Sequence, residues 1–407
     1  MTVGVRAFKG QRLKQAREAR GLFKNTLGDL IGVSGTAIAR YEEGVDCPQQ
    51  DKFDALARVL GFPHEFFLKP ANYTAPDLVF WRSKASETKT ARSMTEQRMI
   101  WLTEIFEFLE SEVQFPELDI PKGLTPENFR DITPADVEAA AERLRAYWSL
   151  RDLPIPDMFL ALENAGIPVV SFEVESDKQD GFCFWSRGPR RPFVGVNRLN
   201  ISAARARYDA AHELGHVILH SNVTREEELD PANHKIIESQ AHRFAGAFLF
   251  PRAAFRREIV RPSLDYFCSV KPRWGLSIAA MVNRAYHLGL IGEDERSGMF
   301  RNMARRKWRG PLQEPYDALM LMPLERPRML RRAIEVILQE GYFGHRTILS
   351  QLALPAREVE QLTGLDGDYF SPRQTELNVA PRRGSLRALN IETGNVVDFP
   401  SRGARGR

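Results

Sequence analysis

Apolar residues in the first 70 positions recur at helical spacing and predict five short helices. Leu13 and Ala16 define the first helix, and Gly21 is suited to a left-handed cap at its end. Four more stretches follow, at 27–31, 36–42, 53–60 and 63–68. A tight turn at Gly32 separates the second and third stretches, which is the layout of a helix-turn-helix. Ser34 stands where it can cap the start of the third helix.

Three stretches of this region carry a family resemblance: RLKQAREARGL, IGVSGTAIARYEEG and FDALARVLGFPHEFFL. Together they resemble the XRE-type repressor domain along its whole length. The resemblance implies a domain over residues 1–70 that places its third helix in the major groove of double-stranded DNA. The residues implied to face bases or phosphates are Lys24, Ser34, Thr36, Ala37 and Arg40.

Two features of this region depart from a strong DNA binder. Phe23-Lys24 stands where Thr-Gln is common in the second helix of the family, so Lys24 is expected to reach a phosphate only as a point charge. Residues 1–70 hold eleven basic against eight acidic residues, a weak positive charge for this role. A helical protein-interaction module is therefore the alternative for this domain.

The remainder of the chain predicts further helices around a small group of strands. Residues 81–90 are polar and linker-like, and the apolar spacing over 99–109 predicts an amphipathic helix. The next predicted elements are helices at 135–149 and 156–165, short strands at 168–172, 181–185 and 192–196, and a helix through His220. The predicted fold class is mainly α with a small β-sheet, an α+β fold.

These patterns divide the chain into five segments. They are a helix-turn-helix domain at 1–70, a helical connector at 71–130, a domain with candidate metal ligands at 131–310, a helical C-terminal region at 311–380 and a basic tail at 381–407. The tail is rich in arginine and poor in apolar residues, so it is expected to be disordered.

The domain at 131–310 contains the sequence His212-Glu213-Leu214-Gly215-His216 on a predicted helix. Residues four apart lie one above the other on a helix, so both imidazoles can bind one metal ion. Glu213 lies about 100° round the helix and can reach a water on the same ion. Zinc with three protein ligands and one open position is the catalytic arrangement. The alternative is a buried histidine pair without metal.

The surroundings of this motif strengthen the metal interpretation. Five of the eight histidines of the chain fall between residues 212 and 242. A second predicted helix at 235–250 follows an acidic loop and brings Glu238 as a third candidate ligand. Asp209 lies three residues before His212 and is either a partner for the far N–H of a ligand histidine or a solvent-facing charge. His220 and His234 are expected to be local histidines.

Two further stretches carry a second resemblance: ARARYDAAHELGHVILH and ESQAHRFAGAFLFP. They resemble the ImmA/IrrE family of zinc metallopeptidases, which implies a zincin-like fold with a small sheet packed on an active-site helix. The ligands implied for one zinc ion per chain are His212, His216 and Glu238, with Glu213 as the general base. His242 departs from the family, where asparagine is usual at this position.

Composition and charge exclude several other classes of protein. The net charge of +4 resides in the basic tail, so the remainder is neutral overall. Three widely spaced cysteines exclude a disulfide framework and a thiolate zinc site. No apolar run reaches the roughly 18 residues of a membrane-spanning helix, and the first residues lack the order of a signal peptide. The chain is therefore expected to be cytoplasmic, without a membrane partner.

Two functions follow from these observations. The first is a DNA-binding zinc endopeptidase that cleaves a regulatory protein, with an XRE-type repressor as the candidate substrate, to control mobile-element or stress genes. The second is a transcriptional regulator or antitoxin-like protein whose zinc domain senses or scaffolds without hydrolysis. A homodimer is left open. In the first case an extended peptide is expected to pair with an exposed strand, for which 181–185 and 192–196 are the candidate edges.

Overall fold

The computed structural model describes residues 4–72, 75–76, 78–83, 89–172, 179–186, 191–318, 321–341, 343–371, 387–389 and 396–397. These residues form many helices and a small amount of sheet, which confirms the predicted mainly α fold class with a small β-sheet. The chain divides into two compact units. The first is Met1–Pro76, Ala85–Phe115 and Met329–Arg407, and the second is Asp77–Lys84 and Pro116–Arg328.

The elements are numbered in chain order. The helices are α1 Gly10–Ala19, α2 Lys24–Ile31, α3 Gly35–Glu42, α4 Gln50–Leu60, α5 His64–Leu68, α6 Lys89–Glu112, α7 Pro134–Tyr147, α8 Met158–Asn164, α9 Ala203–Leu219, α10 Arg225–Leu229, α11 Pro231–Leu249, α12 Arg252–Glu258, α13 Leu264–Trp274, α14 Ile278–His287, α15 Glu293–Arg305, α16 Met329–Gln339, α17 His345–Leu352 and α18 Ala356–Thr363, with a 3₁₀ helix at Phe129–Asp131. The strands are β1 Val79–Ser83, β2 Val113–Gln114, β3 Val169–Phe172, β4 Gln179–Trp185, β5 Pro192–Asn197, β6 Arg387–Leu389 and β7 Val396–Val397.

Helices α1 to α5 have the five-helix layout predicted for the N-terminal domain. The turn between α2 and α3 passes through Gly32, which has a φ of 71°. Ser34 then caps α3, because its side chain accepts a hydrogen bond from the backbone N–H of Ala37 at 3.1 Å. Leu27 and Ile38, one from each helix of the motif, are fully buried. The predicted helix-turn-helix is therefore confirmed.

The first unit also contains α6, which packs against α1. The guanidinium of Arg12 donates to Glu104 Oε1 at 2.8 Å, with both side chains buried, and it donates to the backbone carbonyl of Pro70 at 2.7 Å. This unit contains residues 71–76 and 85–115 of the predicted connector, while residues 77–84 and 116–130 belong to the second unit. The two units thus group the segments differently from the boundaries expected from sequence, which remain predictions.

The second unit has a four-stranded sheet in the order β1-β4-β5-β3. Strand β4 runs antiparallel to both β1 and β5, and β3 runs parallel to β5. Strands β3, β4 and β5 lie where the sequence predicted them. The prediction of a linker over residues 81–90 is wrong for 81–83, which belong to β1, and for 89–90, which belong to α6; residues 84–88 lie outside the described ranges. Only a short run of apolar residues precedes polar Arg82, too short for a period-two pattern to identify a strand.

The extra strand overturns the expectation about sheet edges. Within the described part of this sheet, β4 and β5 are interior strands, and β1 and β3 are the outer ones. The prediction that residues 181–185 or 192–196 form a free edge is therefore wrong for this structure. Sequence reasoning missed this because β1 comes to β4 from about a hundred residues earlier in the chain.

Two other segments also differ from expectation. The acidic segment expected as a loop contains the helix α10, whose first turn is fixed by a capping box between Thr224 and Glu227. In the tail that was expected to be disordered, the described residues 387–389 and 396–397 are short strands, and β6 pairs with β2 and β7. The other tail residues lie outside the described ranges. Among the helices in the described ranges, none is long and apolar enough to cross a membrane.

A buried ion pair fixes α14 against α7 in the second unit. Arg284 Nη2 lies 2.8 Å from Glu138 Oε2, and Arg284 Nε donates to the backbone carbonyl of Phe250 at 3.0 Å. We expect Arg284→Met to lower the free energy of unfolding by about 3 kcal/mol, because a buried carboxylate loses its main partner. This expected loss is small for the breaking of a buried ion pair, because Arg243 Nη1 remains 3.8 Å from the same carboxylate.

The matched control is Arg252→Met. Arg252 pairs at 3.0 Å with Glu142, which lies one turn after Glu138 on α7, but this pair is exposed. An exposed pair contributes about 0–1 kcal/mol, so the control should unfold almost as the unmodified chain does. Urea unfolding followed by tryptophan fluorescence measures both variants. Equal losses in the two variants would contradict the structural role of the buried pair.

Candidate metal centre

Helices α9 and α11 carry the residues that the sequence singled out as metal ligands. Ser202 caps α9, because its side chain accepts a hydrogen bond from the backbone N–H of Arg205 at 3.3 Å. The two helices approach each other closely at Gly215. A Cβ atom added there would lie only 3.2 Å from the Cα atom of Ala241. This close approach brings Glu238 on α11 to the face of α9 that carries the two histidines.

Three donor groups converge between these helices. His212 Nε2 and His216 Nε2 are 3.1 Å apart. The carboxylate of Glu238 lies 3.4 Å from His212 Nε2 through one oxygen and 3.2 Å from His216 Nε2 through the other. Both histidines are fully buried. The structure therefore brings together the three side chains that the sequence predicted as ligands.

The charge of Glu238 is stabilised by its neighbours. Burial would raise the pKa of this carboxyl, but hydrogen bonds and charge interactions with His212 and His216 lower the pKa well below its ordinary value. The group is therefore a carboxylate between two imidazoles. Two imidazole nitrogens and one carboxylate oxygen are a donor set typical of catalytic zinc sites.

A chain of hydrogen bonds extends from the far side of His216. His216 Nδ1 lies 3.0 Å from His220 Nδ1, and His220 Nε2 lies 2.9 Å from Gln240 Oε1. The amide nitrogen of Gln240 donates to the backbone carbonyl of Phe129 at 2.7 Å. Every member is buried. Sequence reasoning treated His220 as a local histidine and did not consider Gln240.

The direction of this chain fixes the tautomer of His216. A carbonyl only accepts, so the amide NH₂ of Gln240 faces Phe129 and its oxygen faces His220. His220 Nε2 therefore carries the proton, and burial followed by the charge of His216 lowers the pKa of His220 to about 3, which keeps its ring neutral. His220 Nδ1 then accepts from His216 Nδ1. When His216 is neutral, as a metal ligand must be, its one proton is therefore on Nδ1 and the lone pair of Nε2 lies beside Glu238.

His242 is a fourth candidate donor that sequence reasoning did not propose. Donor atoms of His212, Glu238 and His242 all lie within 4.8 Å of one another. The hydroxyl of Tyr208 donates its one proton to the backbone carbonyl of His242 at 3.0 Å. The Tyr208 oxygen also lies 3.3 Å from His242 Nδ1. Because the hydroxyl has no second proton, His242 Nδ1 is the donor in this contact. His242 Nε2 then carries a lone pair. The signal in the sequence was its position four residues after Glu238 on one helix.

The carboxylate of Glu213 lies next to strand β4 of the sheet. It is fully buried, and a Cβ placed on Gly181 of β4 would lie 2.9 Å from Glu213 Oε1. Cys183 lies two residues further along β4; burial first, then the charge of Glu213, raises the pKa of its thiol well above the ordinary value. The thiol therefore stays protonated beside the Glu213 carboxylate.

Asp209 is buried and not solvent-facing. Its carboxylate accepts a hydrogen bond from Arg205 Nε at 3.0 Å, one turn earlier on α9. Both residues of this pair lie on α9, so the contact is internal to the helix that carries the two histidines. The predicted interaction of Asp209 with a ligand histidine stays a prediction.

In the helix-turn-helix, the two predicted cationic contacts are already paired within the chain. Arg40 makes two hydrogen bonds to the carboxylate of Asp46, at 2.5 and 3.1 Å. Lys24 Nζ lies 3.5 Å from Glu42 Oε2. DNA phosphates would have to compete with these carboxylates for both cations. The other three predicted contacts are at the start of α3, where Ser34 and Thr36 are exposed and Ala37 is half-buried.

Comparison with known proteins supports both halves of this description. Residues 162–286 match the Peptidase_M78 family model, described as an IrrE N-terminal-like domain, and residues 10–65 match a model described as a helix-turn-helix domain. A curated relative is the uncharacterized HTH-type transcriptional regulator y4wC of Sinorhizobium fredii (strain NBRC 101917 / NGR234), which is 31% identical over 65 residues, 16% of this chain and 46% of the relative. The chain therefore carries an XRE-like helix-turn-helix domain at its N-terminus, followed by an IrrE N-terminal-like domain of the kind found in a metallopeptidase family.

Proposed function

We propose that this protein is a DNA-binding, zinc-dependent endopeptidase that cleaves a regulatory protein to control gene expression. The observation that carries the proposal is the convergence of His212, His216 and Glu238 within 3.4 Å of one another, with Glu213 next to His212 on the same helix. The helix-turn-helix domain supports the DNA-binding part. The match to a peptidase family supports the hydrolytic part.

The three side chains fit a zinc ion by their chemistry. Their donor atoms already face one another, and a neutral His216 that donates from Nδ1 to His220 has a lone pair on Nε2. His212, His216 and Glu238 would hold one zinc ion per chain. Zinc bound there would polarise the scissile carbonyl and make a water molecule acidic near neutral pH.

Glu213 is the proposed general base. Its carboxylate takes a proton from the attacking water and delivers it to the amine that leaves, so that one water is added across one peptide bond. The buried thiol of Cys183 stays protonated, so it adds no second negative charge beside this carboxylate. Burial strengthens the electrostatic interactions of the carboxylate because the surroundings have a low dielectric constant.

The proposed substrate is a protein, with an XRE-type repressor as the candidate, and double-stranded DNA is the second partner. We propose a cytoplasmic location because both partners occur there. A homodimer stays a prediction.

His242 supports a second candidate function. If His242 Nε2 binds the metal as a fourth protein ligand, the centre has the closed coordination of a structural zinc site. The protein would then be a regulator whose zinc domain senses or scaffolds without hydrolysis.

The first prediction from this proposal separates metal binding from catalysis. Glu213→Gln should keep one zinc per chain and lower the rate of cleavage by at least about 100-fold, because it removes only the base. His212→Ala should lose zinc. Elemental analysis of the purified chain and mass spectrometry of candidate repressors encoded beside the gene measure the two effects.

The matched control is His234→Ala. His234 also lies on α11, but its contact is with Glu228, outside the donor group. It should keep both zinc and cleavage. Full zinc retention in a His212→Ala/His216→Ala chain would contradict the assigned ligands, and unchanged cleavage in Glu213→Gln would contradict the assigned base.

The second prediction distinguishes the two candidate functions. If His242 does not bind the metal itself, His242→Asn should lower zinc affinity by at most about 100-fold, which is the effect of losing a group that contacts a ligand. A cobalt-substituted centre should then keep the same coordination number. A change of coordination number on this substitution, together with no cleavage by the unmodified chain, would favour the closed, non-hydrolytic site. The visible absorption spectrum of the cobalt-substituted protein reports the coordination number.

The third prediction concerns DNA. Asp46→Ala should free Arg40 to contact DNA and tighten binding several-fold. The slope of log K against the logarithm of the salt concentration should become steeper by about one. Asp54→Ala is the matched control, because this exposed carboxylate of α4 pairs with His64 and its loss frees no arginine. Titration of promoter DNA at several salt concentrations gives both quantities. Equal effects of the two variants would show that Arg40 makes no DNA contact.

A further inference from the structure

Strand β1 covers the side of β4 that lies next to the candidate metal centre. The two strands are antiparallel, with Phe80 opposite Cys183 and Arg82 opposite Gly181. In the described part of the sheet, β1 is the outermost strand on this side. Its backbone therefore takes the hydrogen-bonding edge that β4 would otherwise present to solvent.

The covered edge is the part of the sheet nearest to Glu213. Gly181 and Cys183, both on β4, lie beside the Glu213 carboxylate. Residues opposite each other in an antiparallel pair point to the same face, so Phe80 points with Cys183 toward α9. A backbone lying in the position of β1 thus runs alongside the general base.

Phe80 extends this cover to a metal ligand. Its ring stacks on the imidazole of His216, with the ring centroids 4.6 Å apart and the planes 10° from parallel. Phe80 is 2% exposed, so the contact is closed to water. One strand of the chain therefore occupies both the sheet edge beside the base and the space over a ligand.

An extended peptide needs a free strand edge to form backbone hydrogen bonds with a sheet. The other outer strand, β3, is separated from β4 by β5 and does not border Gly181 or Cys183. The edge of β4 is therefore the one on which a peptide would lie next to Glu213, and the chain itself already fills it with five residues in extended conformation.

We propose that the edge of β4 is the peptide-binding site of the metal centre and that the chain's own segment Val79–Ser83 occupies it as an internal competitor of substrate. This inference rests on the proposed peptidase function. The ligand class is an extended polypeptide with an aromatic side chain that takes the place of Phe80 over His216. The resting chain is autoinhibited until β1 leaves.

The properties of β1 suit a strand that can be displaced. It is short, and its register with β4 shifts between Arg82 and Ser83. A tethered segment competes at an effective concentration of about the millimolar range, so it excludes a free peptide that is present at micromolar concentration. The residues before and after this segment, up to Pro76 and from Ala85, belong to the unit that carries the helix-turn-helix. A conformational change in that unit that pulls on the residues flanking Val79–Ser83 would remove β1 from the edge of β4.

The test uses the full-length chain with Glu213→Gln, so that binding is measured without cleavage. In the test variant, residues 78–83 are replaced by a Gly/Ser linker of equal length. The probe is a fluorescent peptide with the sequence of residues 78–83, Leu-Val-Phe-Trp-Arg-Ser, followed by fluorescence anisotropy. The replaced chain should bind this peptide at least about tenfold more tightly than the unreplaced chain, and a peptide with alanine at its third position should bind the replaced chain more weakly.

Further variants keep the test decisive. Phe80→Ala in the otherwise complete chain should weaken the internal strand and give intermediate peptide binding. Phe108→Ala, a half-buried phenylalanine on α6 in the other unit, should bind no peptide beyond the unreplaced chain. In the replaced chain, added peptide should slow hydrogen exchange of the β4 amides.

Two results would overturn the proposal. In the first, the replaced chain folds, keeps its metal and binds the peptide no better than the unreplaced chain. In the second, the replaced chain loses its cooperative unfolding and its metal, and Phe80→Ala does not bind peptide, so that β1 is an integral strand. Peptide binding without Glu213-dependent cleavage in the active chain would count against the proposed peptidase function alone.

Discussion

The close contact between α9 and α11 is the constraint on which the candidate centre depends. Gly215 faces the backbone of Ala241 with no room for a larger side chain unless α11 moves. Gly215 directly precedes His216, and Ala241 lies one turn after Glu238. The helix spacing therefore sets the 3.2–3.4 Å distances between the carboxylate and the two imidazoles, and a shift of α11 would separate ligands that come from different helices.

Buried polar groups around the centre are ordered by their neighbours. The chain from Phe129 through Gln240 and His220 gives His216 one tautomer, and Tyr208 does the same for His242. Such partners orient ligands before a metal arrives, which lowers the cost of assembling the site. They also explain how His216, His220 and Gln240 can be buried together, since hydrogen bonds within the group reduce the desolvation cost of burying polar atoms.

The local features of the centre could be predicted from sequence, and the features that depend on tertiary contacts could not. The spacing of His212 and His216 requires only helix geometry, and Ser34 and Ser202 cap helices through bonds to residues three positions away. Gln240 acts through a carbonyl more than one hundred residues away, which no local pattern encodes. Strand β1 was read as linker for the same reason, because its partner β4 lies far along the chain and its apolar run is short. The pairing of Arg40 with Asp46 depends on the path of the loop after α3.

Anomalous diffraction from crystals of the zinc-supplemented full-length chain, recorded on both sides of the zinc absorption edge, tests the metal centre most directly. The expected result is one peak per chain above the edge, with His212 Nε2, His216 Nε2 and a Glu238 oxygen each about 2.0–2.2 Å from it. The same map would measure the distance from the ion to His242 Nε2. No peak between α9 and α11, or a peak bound by other residues, would contradict the assignment of these three side chains as the ligands.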